Sequence, residues 1–227
     1  MTPLNTDFSA VQYILWDNDG VLVDTEQYYY EAGRMVLEAI GIALSVSQFK
    51  ERSLRLGHSV FDVAREAGCS EEECATLRAR RDTLYDNFLR SAALLIPGVS
   101  DVVKRCAARF RMCIVSSSMK PNFHAIHSRT GDLLSYFDFQ LLNGDYPRAK
   151  PHPDPWMVAV NRFNAAPHQC LVIEDSPRGI QAAKAANIRV VAVESRFFTA
   201  TDLAPYLETT DRCLSSIAAL PALLGIR

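Results

Sequence analysis

Four short apolar runs and the long gap between the first two constrain this chain more than anything else in it. Residues 12–17 (QYILWD), 111–116 (RMCIVS), 169–174 (QCLVIE) and 189–193 (RVVAV) end near polar or turn residues, and three of them are visibly β-branched. Such runs read as buried parallel strands. Helix-patterned stretches at about 99–109, 120–130, 154–164 and 178–187 lie among the later runs. From about residue 96 onward strand and helix alternate, which predicts an α/β fold with a doubly wound parallel sheet.

Residues 24–95 break that rhythm, because 72 positions pass without a convincing strand. Tyr29, Ala32, Val36, Ala39 and Ile40 recur at helical spacing, as do Cys74, Leu77, Leu84 and Phe88, the latter after Ser70 and the acidic Glu71 to Glu73. An N-cap followed by acids in the first turn is a helix start. The spacing predicts an all-helical domain over 24–95, inserted into a core made of 1–23 and 96–227, with Pro97-Gly98 as the return hinge. Arg78, Arg80 and Arg81 are expected on a solvated helix face.

Composition removes several classes of function. With 26 acidic and 24 basic residues the net charge is −2, too balanced for broad neutralisation of nucleic-acid phosphates. No apolar run approaches the ~18 residues of a membrane span, and the opening MTPLNTDFSAVQ lacks the basic and apolar regions of a signal peptide. A cytoplasmic monomer without nucleic-acid or membrane partners is expected. Cys69, Cys74, Cys106, Cys113, Cys170 and Cys213 form no CxxC pair, which argues for reduced thiols rather than zinc or a redox dithiol.

Chemistry concentrates where strands end. In WDNDGVLVDTE the first strand runs into Asp17-Asn18-Asp19-Gly20, and period-two geometry places both acids on one face while Trp16 points into the core. Two carboxylates sharing a site call for a Mg²⁺ ion or for split acid and base roles; the plain alternative is a solvated loop. Ser116 ends the second core strand, where Ser116-Ser117-Ser118 can cap the next helix or hold a phosphate oxygen. Glu174-Asp175 ends another strand and suits a hard cation, with Ser176-Pro177 as capping chemistry. Lys150 lies in a loop stiffened by Pro151, Pro153 and Pro155, although a lone lysine is usually surface. Arg148 and His152 beside it are expected to be solvated.

In this order, Asp17 and Asp19, Ser116, Lys150, and Glu174 with Asp175 resemble the four signature motifs of the haloacid dehalogenase superfamily. The phrases DGVLVDTE, KPHPDP and EDSPRGIQAA look like its phosphatase and β-phosphoglucomutase branch. The resemblance implies a Rossmann-like core, a mobile helical cap, a Mg²⁺ cofactor and a phosphoaspartyl mechanism. On that mapping Asp17 is the nucleophile and a metal ligand. Asp19 is the acid and base, and it meets the metal through its backbone carbonyl. Asp175 is the third protein ligand, with Glu174 orienting beside it. Ser116 and Lys150 hold phosphate oxygens, assisted by backbone amides near Asn18 and Ser117. Asn18 and Ala149 depart from the family pattern, where an apolar or aromatic residue and a glycine are common.

The expected activity is hydrolysis of a small phosphorylated metabolite, a sugar phosphate or a phosphoglycolate-like ester. Specificity is expected from Thr25, Glu26 and Tyr29 at the cap's entry and from Leu56, Gly57 and His58 in a cap loop. Tyr28 to Tyr30 as packing residues and His58 as a surface or capping residue are the plain alternatives. A β-phosphoglucomutase-like mutase is the closest rival. The resemblance assigns such enzymes a cap-loop Arg and a cap-entry His, and the matching positions here are Val60 and Tyr29, though Arg55 or His58 can substitute. A dehalogenase would need neither Asp19 nor a metal, and a non-catalytic phosphate-binding scaffold would not need the intact set.

Overall fold

The computed structural model describes residues 8–209 and 211–226; the first seven residues, on which the leader expectation partly rests, lie outside them. The chain forms two compact units, one of residues 1–24 with 95–227 and the other of residues 25–94. No helix among the described residues is long and apolar enough to cross a membrane.

The first unit is built on a six-stranded, wholly parallel sheet. Its strands are β1 (Tyr13–Trp16), β2 (Arg111–Val115), β3 (Phe139–Leu141), β4 (Cys170–Glu174), β5 (Arg189–Val193) and β6 (Arg212–Leu214), in the order β3-β2-β1-β4-β5-β6. The side chains of Ile14, Leu15, Trp16, Ile114, Val172 and Ile173 are fully buried, as expected of strands covered on both faces. Trp16 fills the core, its indole N–H donating to the Met112 sulfur at 3.3 Å.

Two strands escape the sequence pattern. β3 and β6 have three residues each, and neither carries an apolar run long enough to stand out from its surroundings. After β3 the chain crosses back to lay β4 on the other side of β1, so the winding reverses there. Ligand crevices of such sheets open beyond the carboxyl ends of the strands at this reversal. The register delivers the acids to it. Trp16 pairs with Ile114 on one side and Ile173 on the other, so the next residues, Asp17, Val115 and Glu174, come out side by side.

The second unit is helical: α1 (Glu26–Glu38), α2 (Val46–Phe49), a π-helical turn (Lys50–Arg55), α3 (Asp62–Glu66) and α4 (Glu71–Ser91). α4 starts with a capping box, Ser70 Oγ accepting the Glu73 N–H at 3.2 Å and Glu73 accepting the Ser70 N–H at 2.7 Å. Its buried stripe is Cys74, Leu77, Arg81, Tyr85 and Leu89 rather than one through Leu84 and Phe88. Arg81 is therefore not on a solvated face: it is 6 % exposed, its guanidinium 4.2 Å from the Tyr29 ring centre and 5.5 Å from that of Phe61. A planar cation stacks on aromatic faces, and this overrides the charge pattern.

The helices of the first unit are α5 (Val99–Ala107), α6 (Lys120–His127), α7 (Asp154–Phe163), α8 (Pro177–Ala185), α9 (Ala200–Leu203) and α10 (Leu220–Leu223).

Candidate active site

Asp17 leaves β1 with its N–H still bonded to the Ile173 carbonyl at 2.9 Å, and the residue is only 7 % exposed, so a solvated loop is excluded. Lys150, 4 % exposed, donates to Asp17 Oδ1 at 2.6 Å, to Glu174 Oε1 at 2.9 Å and to the Val115 carbonyl at 3.1 Å. Its ammonium also lies 4.2 Å from the Trp156 ring centre. The lysine is thus part of the buried site and not surface.

Glu174 is engaged on both oxygens. Besides Lys150 it accepts the N–H groups of Asp175 and Ser176 at 2.8 and 2.7 Å and the Ser176 hydroxyl at 2.9 Å. Ser176 caps α8, accepting the Gly179 N–H at 3.1 Å. Two glycines make room for these acids. A Cβ on Gly179 would overlap the Glu174 carboxylate, and one on Gly20 would overlap that of Asp175. Gly20 also has φ +81°, which other residues rarely adopt.

Asp17, Glu174 and Asp175 each bring a carboxylate oxygen within 4.8 Å of the others, all three buried. With all three carboxylates ionised against one ammonium the surplus would be two negative charges, which a divalent hard cation with oxygen ligands offsets. The donor set and the glycine cradle fit Mg²⁺. Burial pushes the Asp17 carboxyl up to about 8, Glu174 and Asp19 adding to the effect and Lys150 opposing it. Burial alone would lower Lys150, but its ion pairs with Asp17 and Glu174 outweigh that and raise it.

Asp19 faces different partners. Its Oδ2 accepts the hydroxyls of Ser116 and Ser118 at 3.1 and 2.8 Å and the Asn18 side-chain amide at 3.2 Å. The serine run does not cap α6, which has no side-chain cap; Ser116 Oγ instead accepts the Ser118 N–H at 3.0 Å. Ser116 is held through its backbone as well, its N–H on the Leu141 carbonyl and its own carbonyl on the Tyr146 hydroxyl, both at 2.9 Å. Ser117 joins the same loop, its carbonyl accepting the Asn143 amide at 3.3 Å.

The structure thus brings Asp17, Lys150, Glu174 and Asp175 together, with Asp19, Asn18 and Ser116 adjoining through hydrogen bonds. Thr25, Glu26, Tyr29, Gly57 and His58 belong to the helical unit. Thr25 stands at the N-cap of α1 and is buried, Tyr29 packs on Tyr85 with ring centres 5.2 Å apart, and Gly57 and His58 are exposed. Arg148 is exposed and forks onto Asp154 at 2.9 and 2.8 Å.

Sequence reasoning missed Trp156, Tyr146, His127 and Arg178, the last of which donates to the Lys150 carbonyl. Tyr146 and Trp156 flank Lys150 within six positions, a signal that was available. His127 had none.

The model of the family described as haloacid dehalogenase-like hydrolase matches residues 14–193. A (DL)-glycerol-3-phosphatase 2 of Arabidopsis thaliana is 29% identical over 197 residues, 81% of this chain and 80% of that protein. A probable pseudouridine-5'-phosphatase of Drosophila melanogaster is 30% identical over 201 residues, 83% of this chain and 84% of that one. The solved structure of CbbY from Rhodobacter sphaeroides in complex with phosphate superposes with TM-score 0.75 at 23% identity, covering 95% of this chain and 99% of that one. With the family model spanning the sheet from β1 to β5 and every strand-end acid described above, the chain belongs to the haloacid dehalogenase-like hydrolases.

Proposed function

We propose that this chain, a phosphoric monoester hydrolase, cleaves a small phosphorylated metabolite through a phosphoaspartyl intermediate on Asp17, with Mg²⁺ as cofactor. The observation that carries the reading is the buried cluster of Asp17, Glu174 and Asp175 on Lys150 at the winding reversal of the sheet.

An Asp17 oxygen attacks phosphorus, and the bond from phosphorus to the ester oxygen breaks as Asp19 gives that oxygen its proton. Water then attacks the aspartyl phosphate while Asp19 takes a proton from it; inorganic phosphate leaves and Asp17 is restored. Lys150, the Ser116 hydroxyl and the N–H groups near Asn18 and Ser117 hold the phosphate's other oxygens, where positioning and charge account for most of the catalysis. The Ser116 hydroxyl now donates to Asp19 and would turn to the phosphate. Asp17, Asp175 and the Asp19 backbone carbonyl would hold Mg²⁺, whose charge supports an ionised Asp17 and the developing charge on phosphate. Glu174 keeps Lys150 and the Asp175 backbone in place.

The substrate class, a sugar phosphate or a phosphoglycolate-like ester, is in keeping with relatives named as phosphatases of glycerol 3-phosphate and pseudouridine 5'-phosphate. Thr25, Glu26, Tyr29, Gly57 and His58 are the proposed specificity residues. Phosphate release from a panel of phosphorylated metabolites, in Mg²⁺ and in EDTA, tests the reading. Mg²⁺-dependent release that Asp17→Asn abolishes is expected, and release undiminished in that variant overturns the intermediate.

One observation favours the mutase alternative. Tyr29 carries no charge itself, but the buried Arg81 guanidinium stacked on it is a fixed cation in the helical unit. β-Glucose 1-phosphate with a trace of the 1,6-bisphosphate separates the two: free phosphate is expected, and glucose 6-phosphate formed without phosphate release overturns hydrolysis.

A further inference from the structure

The Asn18 side chain, at a position where the family pattern has an apolar or aromatic residue, joins a buried polar chain that the proposed chemistry does not use. His127, in the last turn of α6, is 5 % exposed; Thr130 and Asn18 are buried with it. The ring Nε2 lies 2.7 Å from Asn18 Oδ1, and Nδ1 lies 3.1 Å from Thr130 Oγ1. Asn18 Nδ2 in turn donates to Asp19 Oδ2 at 3.2 Å.

The ends of this chain dictate where its hydrogens are. Asp19 Oδ2 accepts two serine hydroxyls as well, so Asn18 must present its amide nitrogen there and turn Oδ1 to the ring. An oxygen 2.7 Å from Nε2 requires a hydrogen on that nitrogen. The opposite amide orientation would set oxygen against carboxylate oxygen. Burial pushes the imidazole down to about 4, against a smaller pull from Asp19, so the ring is neutral and Nδ1 accepts. Thr130 is the donor in reach. The Thr130 hydroxyl also reaches the His127 carbonyl at 3.1 Å and can rotate its hydrogen to Nδ1, the one acceptor on the ring once Nε2 carries the hydrogen.

We propose that His127, held in its Nε2–H form by Thr130, is a positioning residue that fixes the Asn18 side-chain amide and through it the Asp19 carboxylate. This rests on the proposed acid and base role of Asp19. Buried polar groups require partners, and here one line of partners runs from α6 to the group that must present a proton along one direction. The His127 ring bonds to the Asn18 side chain and to Thr130 and to none of the proposed metal ligands among the described residues, so its loss is expected to bear on proton transfer more than on binding.

Two measurements test it. Long-range ¹H–¹⁵N spectra of the imidazoles are expected to show His127 neutral with the hydrogen on Nε2; a hydrogen on Nδ1 overturns the relay. His127→Leu is expected to lower kcat about tenfold with KM changed less than about twofold, and His127→Gln, whose amide can donate to Asn18, to recover most of the loss. An unchanged kcat in a folded His127→Leu, or a Gln variant no better than Leu, also overturns it. Failure of the wild type to hydrolyse any phosphate ester would instead overturn the proposed function, and the tautomer, read without turnover, would still decide whether the relay exists.

Discussion

Lys150 shows how much one residue depends on glycines elsewhere. Its bond to Glu174 exists because Gly179 has no Cβ in the space of that carboxylate. Replacing a helical glycine by alanine ordinarily stabilises by about 1 kcal/mol, but Gly179→Ala must move Glu174 and loosen a buried ion pair. Urea unfolding is expected to show a net loss of about 1–3 kcal/mol; a gain would mean that the cradle yields easily. Asp175 is the second residue-scale case, as one of two side-chain carboxylates proposed to bind the ion directly. Asp175→Ala is expected to move the midpoint of a Mg²⁺ titration of activity to higher concentration, and an unshifted midpoint removes Asp175 from the ligand set.

Elements differ in how openly they declare themselves. α4 announces its start through Ser70 and Glu73, and the capping box is there. Ser70→Ala is expected to cost about 1 kcal/mol in denaturant unfolding, with no change in cost tolerated only if the first turn frays without consequence. The face that α4 buries is less legible, because Arg81 looks like solvent-facing charge until Tyr29 and Phe61 are placed against it. β3 is too short for any periodicity, yet its Leu141 carbonyl anchors the Ser116 backbone N–H. α6 looks capped by its serines, but those hydroxyls turn to Asp19 because the winding of the sheet brings that acid within reach.

At the scale of the whole molecule, the buried His127 couples global stability to pH. Its folded value near 4 lies below the ordinary 6.5, so on acidification the unfolded chain takes up the proton first. The stability it contributes is complete above about 6.5 and is lost as pH falls through about 4, up to about 3 kcal/mol in all. The stability gap between wild type and His127→Gln, measured in urea, is expected to narrow between pH 7 and pH 4.5; a gap independent of pH would contradict a neutral buried ring. The amino-acid order by itself determined the strand and helix rhythm of the core, the helical stretch between its two parts, and the acids at the ends of β1 and β4. Buried strands advertise themselves locally in runs of apolar side chains, and motif residues stand beside them. Tertiary structure alone decided that Lys150 meets Asp17 across 133 positions and that His127 meets Asn18 across 109. It also decided that Arg81 is inside. These are contacts between side chains remote in sequence, set by sheet order and helix packing, and local pattern carries no measure of that distance.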